Sequence, residues 1–418
     1  MNLKYKDEIS TILLFAILIS AVFLSLNYFS AWNVWGVQSY CILFPDLHVL
    51  LCSIDTHFAG FNAFLENPFC EWNIPHVYSR LWFYFHYIGF SDSNRVLIGI
   101  SILSIFIGAT GTILSKNKIC GLFFIMSPAF LLAIERCNND LIIFILLLFP
   151  VLKIRDRNLL TTIVSHLILI ICVSLKYYPI AAAIIFFFRD ETLKRKLIHI
   201  SIQSTFFILW IVHVRSDLIL QMNFIPNPGY AWSFGFDLLN SLTSNLLNID
   251  RQIGYFSLGT LTIAYLYYAC SKMHSLQLFE KTLQIKPIYF DMYVVGTSIL
   301  CFCYFVRTSF DHRMIYFIFC IPLLLAFPKK TTDKAPTLFS PLILVITFII
   351  SSWHEFIREW CVFFLKEFQL NDQTPLFLFG LRSTEILLNH FIFTTLLAFL
   401  ICLFLNTFHN FKKTKLYA

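Results

Sequence analysis

The run Glu135-Arg136-Cys137-Asn138-Asn139-Asp140 is a dense polar group between two strongly apolar segments. Its position predicts charges close to a membrane boundary. A charge buried at such depth costs about 2.5 to 3.5 kcal/mol on insertion scales, which makes it a candidate for function. Glu135, Arg136, Asn139 and Asp140 are therefore candidate site residues. The alternative is a helix hairpin in which the acid and the base only neutralise each other and cap the turn.

A second candidate is Lys176-Tyr177-Tyr178-Pro179, where a single Lys ends an otherwise uncharged apolar segment. Lys176 and Tyr177 could bind a lipid phosphate, because an ammonium is a compact positive charge and a phenol donates a hydrogen bond. The alternative is a Lys that extends toward the lipid headgroups without a ligand.

The third group runs from Arg307 to Arg313 and includes Asp311 and His312. Two guanidinium groups and an imidazole around one carboxylate suit an anion, because Arg offers paired donors that match phosphate oxygens. The alternative is an ordinary interfacial turn held by an Arg–Asp pair.

Asp46 opens a stretch, 45–58, whose apolar periodicity predicts an amphipathic helix lying along the membrane interface. A carboxylate there, on the side where the three cationic groups are expected, could act as general base for an acceptor hydroxyl. Asp55 is half a turn away at about 100° per residue, so the two acids cannot serve one site. The ordinary alternative for Asp46 is a helix N-cap.

The composition places these residues in a membrane protein. Of the 418 residues, 58% are hydrophobic and only 13% are charged, whereas soluble domains carry about 25% charged residues. Since a helix needs about 20 residues to cross the hydrocarbon core, the recurring apolar stretches predict an all-α polytopic protein with one integral membrane domain, 1–418. About twelve spans are predicted, at 11–29, 96–114, 119–134, 139–152, 159–175, 178–188, 197–214, 254–270, 289–306, 314–327, 338–352 and 384–407.

The distribution of Lys and Arg predicts the orientation. With the N-terminus inside, about 20 of the 31 basic residues fall in short inner loops. Both termini are then cytoplasmic, and the candidate residues lie on the outer face of the plasma (inner) membrane, with two long outer loops at 30–95 and 215–253 and shorter ones at 307–313 and 353–383. The net charge of +7 lies beside anionic lipid, so no nucleic-acid partner is predicted.

The 12 cysteines show no spacing typical of a metal site, and none is predicted. Cys41, Cys52 and Cys70 share the first outer loop, where one disulfide could form in an oxidising compartment.

In their order, these segments resemble the GT-C glycosyltransferases of family 87, the polyprenol-phosphate-mannose-dependent mannosyltransferases and their bacterial relatives. The resemblance covers about residues 40–330. It rests on Asp46-Leu47-His48-Val49, Gly60-Phe61-Asn62, Tyr78 to Trp82, Glu135 to Asp140, Lys176 to Pro179 and Asp311-His312-Arg313. The sequence departs from the family pattern at Cys137, where Gly usually follows Glu-Arg, and at Tyr78-Ser79, where Tyr-Pro is usual.

The resemblance implies a GT-C-type bundle with a long first extracytoplasmic loop that carries interfacial helices. It also implies a polyprenyl-phosphate sugar as donor substrate, no further cofactor, inversion at the anomeric carbon, and a first-loop Asp as base, which only Asp46 matches. The expected reaction transfers mannose or another hexose to a lipid or glycan acceptor. The expected phosphate ligands are Arg136, Lys176, Tyr177, Arg307, His312 and Arg313, supported by Glu135, Asn139, Asp140, Asp311, Tyr78 and Arg80.

Three other functions fit parts of the sequence. A transporter or flippase of lipid-linked sugars would use the same outer cations, but it predicts charged residues near mid-bilayer, and these are scarce here. An O-antigen polymerase or ligase is also polytopic, but its large outer loop usually lies late in the chain. A non-catalytic subunit of an envelope assembly complex is the third alternative.

Overall fold

The protein is described here by a computed structural model, which covers residues 9–17, 32, 35–37, 42–156, 158–189, 191–224, 233–275, 285–306, 309–326, 341–367 and 374–416. It is 81% helical. The α-helices after the helical stretch 9–17 are Pro45–Phe58, Arg95–Leu114, Lys118–Ile125, Pro128–Arg136, Asp140–Lys153, Leu159–Leu175, Leu193–His213, Arg215–Met222, Phe236–Leu247, Arg251–Ser275, Pro287–Val306, Ile321–Ala326, Pro341–Ser352, His354–Glu367 and Thr374–Leu416. The 3₁₀-helices are Arg80–Ile88, Asp92–Asn94, Tyr178–Phe188 and Asp311–Phe319.

Among the described residues, four helical segments are long and apolar enough to cross a membrane: Asp92–Leu114, Leu193–His213, Pro287–Val306 and Phe377–Leu405. The number rises to six if two bent pairs each form one span, Lys118–Ile125 with Pro128–Arg136 and Pro341–Ser352 with His354–Leu365. Only 11% of the apolar window in Leu193–His213 is buried. Its apolar side chains therefore face outward, as contact with lipid requires. The chain is thus an all-α membrane protein, and the total of twelve spans stays a prediction.

Several predicted spans are short helices in the structure. Asp140–Lys153 has 14 residues, which make about 21 Å at 1.5 Å per residue. Tyr178–Phe188 has 11 residues in 3₁₀ conformation, or about 22 Å. Each is shorter than the hydrocarbon core of about 30 Å.

The chain divides into two compact units. Unit 1 consists of Met1–Asn33, Gln38–Lys116 and Phe130–Asn227. Within it, Phe106 packs on the rings of Phe130 and Phe144 at centroid distances of 5.4 and 5.0 Å. The fully buried Trp82 donates its indole N–H to the carbonyl oxygen of Leu175 at 3.3 Å. This hydrogen bond fixes the 3₁₀-helix Arg80–Ile88 against the end of helix Leu159–Leu175.

Helix Pro45–Phe58 confirms the predicted helix at the start of the first loop. It is not an amphipathic surface helix, however, because nine of its 14 residues are buried. It packs against the 3₁₀-helix Arg80–Ile88 and against helix Arg95–Leu114. Gly99 in the latter helix lies so close to the ring of Phe44 that an added Cβ would meet it at 2.3 Å. A side chain at position 99 would therefore push Phe44, the residue that precedes Pro45, out of place.

Unit 2 consists of Val34–Val37, Asn117–Ala129 and Pro228–Ala418. Helix Pro287–Val306 packs against Asp311–Phe319 and Thr374–Leu416, and the rings of Phe317 and Phe348 stack at 3.6 Å. Two short strands, β1 (Ser233–Phe234) and β2 (Ser309–Phe310), pair antiparallel with Ser233 opposite Phe310. They form the only sheet in the described part of the chain.

Two segments predicted as outer loops contain helices. The segment 215–253 holds Arg215–Met222 and Phe236–Leu247, and the segment 353–383 holds His354–Glu367 and the start of Thr374–Leu416. The segment 353–383 carries several charged residues. In the structure several of these charges pair with one another, which lets helices carry them.

Candidate functional site

In unit 1, the ends of four helices meet the start of helix Pro45–Phe58. Asp46 lies in the first turn of Pro45–Phe58, although the N-cap residue is Phe44. The other elements contribute the last residue of Pro128–Arg136, the first of Asp140–Lys153, the residue after Leu159–Leu175 and the first of Tyr178–Phe188. We call the group formed in this way the Asp46 cluster; it consists of Asp46, Arg136, Asn138, Asp140, Lys176 and Tyr178.

Asn138 and Arg136 hold the carboxylate of Asp46. The amide of Asn138 donates to Oδ2 of Asp46, and NH1 of Arg136 lies 3.8 Å from Oδ1. The Asp46 side chain is 21% exposed, against 9% for Arg136. Asp46 is therefore oriented by two donors and is still reachable by a ligand.

Asp140 and Lys176 form the inner half of the cluster. The ammonium of Lys176 contacts Oδ1 of Asp140, and the hydroxyl of Tyr178 donates to the same oxygen at 2.5 Å. Nζ of Lys176 also donates to Oδ1 of Asn138 at 3.3 Å and lies 5.4 Å from the centre of the Tyr78 ring. Because Asp140 and Lys176 are almost fully buried, each charge depends on the other for compensation.

The turn that carries Arg136 and Asn138 depends on a left-handed residue. Cys137 has φ 43°, and the amides of Cys137 and Asn138 donate back to the carbonyls of Ile134 and Ala133 at 2.9 and 3.1 Å. These two hydrogen bonds end helix Pro128–Arg136, as is usual where a left-handed residue follows a helix. The conformation favours Gly, so the Cys found at this position is the strained choice.

An aromatic pocket of about 600 Å³ lies beside the first-loop segment of unit 1. Arg80 and Asp217 line it and form a two-pronged ion pair, with Nε to Oδ2 at 2.6 Å and NH2 to Oδ1 at 2.5 Å. The remaining lining is mainly aromatic: His57, Phe58, Phe61, Phe64, Phe83, Tyr84 and Tyr87. Arg80 is two residues from Tyr78, so this short segment connects the pocket to the Asp46 cluster.

The predicted candidates of unit 1 fall into three groups. Asp46, Arg136, Asp140 and Lys176 come together, with the Tyr78 ring beside them, whereas Arg80 belongs to the pocket. Tyr177 belongs to neither: burial, with a smaller contribution from the charge of Asp217, raises the pKa of its hydroxyl. Two further predicted residues are buried beside the cluster, Glu135 and Asn139.

Sequence reasoning missed Asn138 and Tyr178 as cluster members. Both stood in the polar runs that were singled out, but their neighbours Asn139 and Tyr177 were chosen. The side-chain amide of Asn139 is buried and has no hydrogen-bond partner in the described part of the chain, whereas Asn138 connects Asp46 to Lys176. The left-handed Cys137 reverses the chain just before this point, so helical spacing could not tell which Asn faces Asp46.

Three predicted residues, Asp311, His312 and Arg313, belong to unit 2. Arg313 donates from NH1 to Oγ of Ser309 at 2.8 Å, and His312 stacks on Phe310 at 5.5 Å. Asp311 is 1% exposed, and burial raises its pKa to about 6 despite the opposing effects of His354 and Arg382. Arg307 lies outside the described residues.

A second charged group surrounds Asp311 in unit 2. Its members come from the ends of two helices: His354, Glu355, Arg358, Arg382 and Glu385. The sequence analysis did not single them out because they fall in or next to a predicted loop. The spacing of three residues in Glu355/Arg358 and Arg382/Glu385 was a usable signal, since such pairs lie on one face of a helix.

A comparison of this chain with protein-family profiles, curated proteins and solved structures returns no match. The function therefore has to be argued from the two charged groups and the pocket.

Proposed function

We propose that this chain is an inverting glycosyltransferase that moves mannose or another hexose from a polyprenyl-phosphate donor to a lipid or glycan acceptor. The observation that carries the proposal is the Asp46 carboxylate, which Asn138 and Arg136 hold in a partly exposed position beside the buried Lys176. The resemblance of the polar segments to GT-C enzymes supports the same reaction.

The reaction needs a base at the acceptor. As the acceptor oxygen attacks the anomeric carbon, the C–O bond to the sugar forms, the bond to the phosphate breaks, and the hydroxyl proton goes to a carboxylate. Asp140 is buried in its contact with Lys176 and Tyr178. Asp46, at 21% side-chain exposure, is the carboxylate of the cluster that an acceptor can reach.

The leaving phosphate needs positive charge. Arg136 and Lys176 supply it, but each is close to a carboxylate in the absence of substrate. The contact from Arg136 to Asp46 is long, at 3.8 Å, whereas Lys176 is in direct contact with Asp140. We therefore assign the first phosphate contact to Arg136. Once Arg136 binds phosphate, Asp46 keeps only its hydrogen bond from Asn138 and can accept the acceptor proton.

The aromatic pocket provides a place for the acceptor. Aromatic rings offer large apolar faces, and the Arg80–Asp217 pair adds hydrogen-bonding groups that fix orientation. Tyr78, whose ring lies over Lys176, joins the pocket to the cluster. An acceptor bound there would approach Asp46 along the segment from Tyr78 to Arg80.

The setting of the reaction also belongs to the proposal. The apolar helices place the chain in a bilayer, and the distribution of Lys and Arg supports cytoplasmic termini and an extracytoplasmic site in the plasma (inner) membrane. Arg307, His312 and Arg313 stay predicted phosphate ligands, and the proposal does not depend on them.

The test is an assay with the purified protein in lipid nanodiscs and radiolabelled polyprenyl-phosphate mannose or glucose, with a membrane lipid extract as acceptor source. We expect labelled sugar on a new product together with free polyprenyl phosphate. A flippase would move intact donor across a vesicle membrane and leave the sugar–phosphate bond uncut. That result, with no cleavage of either donor, would contradict the proposal.

A further inference from the structure

The carboxylate of Asp311 in unit 2 is buried. The residue is 1% exposed, and neither Oδ1 nor Oδ2 has a hydrogen-bond partner among the residues that the structure describes. Nε2 of His354 lies 3.8 Å from Oδ2 of Asp311. Leaving a buried carboxylate in this state is costly, so the structure points to a ligand at this position.

The ring of His354 directs Nε2 toward the carboxylate of Asp311. Its Nδ1 lies 2.8 Å from the carbonyl oxygen of Ser351 and must donate to it, because a carbonyl only accepts. In the neutral imidazole, Nε2 is then the unprotonated nitrogen. This nitrogen lies 2.9 Å from Oε1 of Glu355 and 3.5 Å from Oε2 of Glu385. A positive ion among these oxygens would use the lone pair, although NH1 of Arg382, which pairs with Glu385, also lies 3.3 Å from Nε2.

A proton on Nε2 is the simplest such ion, but it leaves Asp311 unsatisfied. The single N–H of an imidazolium would be used by Glu355 at 2.9 Å, and Asp311 at 3.8 Å is beyond hydrogen-bond distance. A metal ion can bind all three side chains at once. The second contact typical of a metal-binding His is also present. Such residues commonly donate their other ring N–H to a backbone carbonyl, as Nδ1 of His354 does to Ser351.

We propose that Asp311, His354 and Glu355 bind one divalent transition-metal ion of the Zn²⁺ class. One ligand atom from each residue lies within 4.8 Å of the other two. Tetrahedral zinc bonds of about 2.0 to 2.2 Å put neighbouring ligand atoms about 3.4 Å apart, and the distances of 2.9 and 3.8 Å from Nε2 lie on either side of that value. A mixed set of imidazole and carboxylate ligands suits such an ion.

The surrounding charges agree with a divalent ion. The acids Asp311, Glu355, Glu359 and Glu385 face the two guanidinium groups of Arg358 and Arg382. Acids therefore outnumber guanidinium groups among these described residues, which favours a cation. Arg358 pairs with Oε2 of Glu355 at 2.7 Å, which directs the other oxygen of that carboxylate toward His354.

The ion would have a structural role. Asp311 begins a 3₁₀-helix, while His354 and Glu355 open the helix that follows a bend of 48° after Pro341–Ser352. An ion bound by these three residues would join two segments that are distant in sequence. The site is independent of the proposed transferase activity, because none of its ligands belongs to the Asp46 cluster.

The test measures metal bound by the full chain, purified in detergent without a histidine tag, stripped with chelator and reloaded with Zn²⁺. We expect about one ion per chain by mass spectrometry and a higher melting temperature after reloading. His354→Ala and Asp311→Asn should each weaken Zn²⁺ binding about tenfold or more. Glu359→Gln, a nearby acid that is not a proposed ligand, should leave it within about twofold.

Reloading with Co²⁺ gives a readout that needs no variant, because the visible spectrum of Co²⁺ reports nitrogen and oxygen ligands in a tetrahedral site. Absence of stoichiometric Zn²⁺ and Co²⁺ binding by the wild-type chain would overturn the proposal and favour the imidazolium. Equal binding by wild type and Asp311→Asn would overturn it as well.

Discussion

The guanidinium of Arg136 lies 3.8 Å from the carboxylate of Asp46, although the two residues are 90 positions apart in the sequence. This distance is long for an ion pair, and Asn138 contacts the other oxygen of the same carboxylate. The arrangement keeps Asp46 in place and leaves Arg136 able to exchange its partner for a phosphate.

Arg136→Gln should weaken donor binding more than it slows the chemical step. The variant keeps a polar side chain beside Asp46 but loses the charge assigned to the donor phosphate. We expect KM for the polyprenyl-phosphate sugar to rise about tenfold or more, as for the loss of one charged hydrogen bond. Initial rates over a range of donor concentrations measure this. An unchanged KM would remove Arg136 from the phosphate site.

Lys176→Met should destabilise unit 1 by about 3 to 5 kcal/mol, because it leaves the buried Asp140 without its cation. The double variant Lys176→Met/Asp140→Asn should recover much of that loss, since both charges are then removed. Chemical unfolding in detergent gives the free energies of the two single variants and the double variant. If the losses of the single variants simply add in the double variant, the two side chains do not depend on each other.

Cys137 allows a comparison of Gly with Ala. In an ordinary helical position Ala is the more stable residue by about 1 kcal/mol. Here φ is 43°, so Cys137→Gly should be more stable than Cys137→Ala by about 1 kcal/mol. Both variants lose the thiol, which cancels its contribution. A melting temperature that is higher for the Ala variant would contradict the role assigned to this turn.

His76 should make the stability of unit 1 sensitive to acid. The ring is buried, its Nε2 donates to the carbonyl of Ser79 at 3.1 Å, and Nδ1 has no hydrogen-bond partner within the ranges that the structure describes. Burial lowers its pKa from 6.5 to about 4. Between these values the unfolded chain binds a proton that the folded chain does not, so the stability contributed by His76 is complete above pH 6.5 and falls as the pH drops toward 4.

The full loss attributed to His76 is about 3 kcal/mol. His76→Gln should therefore lose less stability than wild type between pH 7 and pH 4.5, which melting curves at the two pH values measure. Equal acid sensitivity of the two proteins would show that another group controls the transition.

Part of this architecture could be predicted from the sequence. Composition and apolar periodicity predicted an all-α membrane protein, and the helix at 45–58 with Asp46 in its first turn is confirmed. The polar run at 135–140 and Lys176 were identified because charges between apolar segments are costly. That argument finds residues with unusual positions but not their partners, which is why Asp140 could not be assigned to Lys176 beforehand.

Two features could not be predicted from the sequence, for physical reasons. The choice between Asn138 and Asn139 depends on the backbone at Cys137, whose left-handed conformation is unusual for a residue other than Gly. The group around His354 depends on three segments that meet only in the folded chain. The pairs Glu355/Arg358 and Arg382/Glu385 could be read from their spacing, but contacts between separate segments cannot be seen in one sequence.

The most direct test of the central claim compares Asp46→Asn with Asp55→Asn in the donor assay. Both carboxylates belong to helix Pro45–Phe58, but Asp55 accepts hydrogen bonds from Ser91 and from the amide of Asp92. We predict that Asp46→Asn lowers the rate of sugar transfer by about 100-fold or more, while its melting temperature and donor binding stay close to those of wild type. Asp55→Asn should keep most of the activity. Transfer by Asp46→Asn at a near wild-type rate would contradict the assignment of Asp46 as the base.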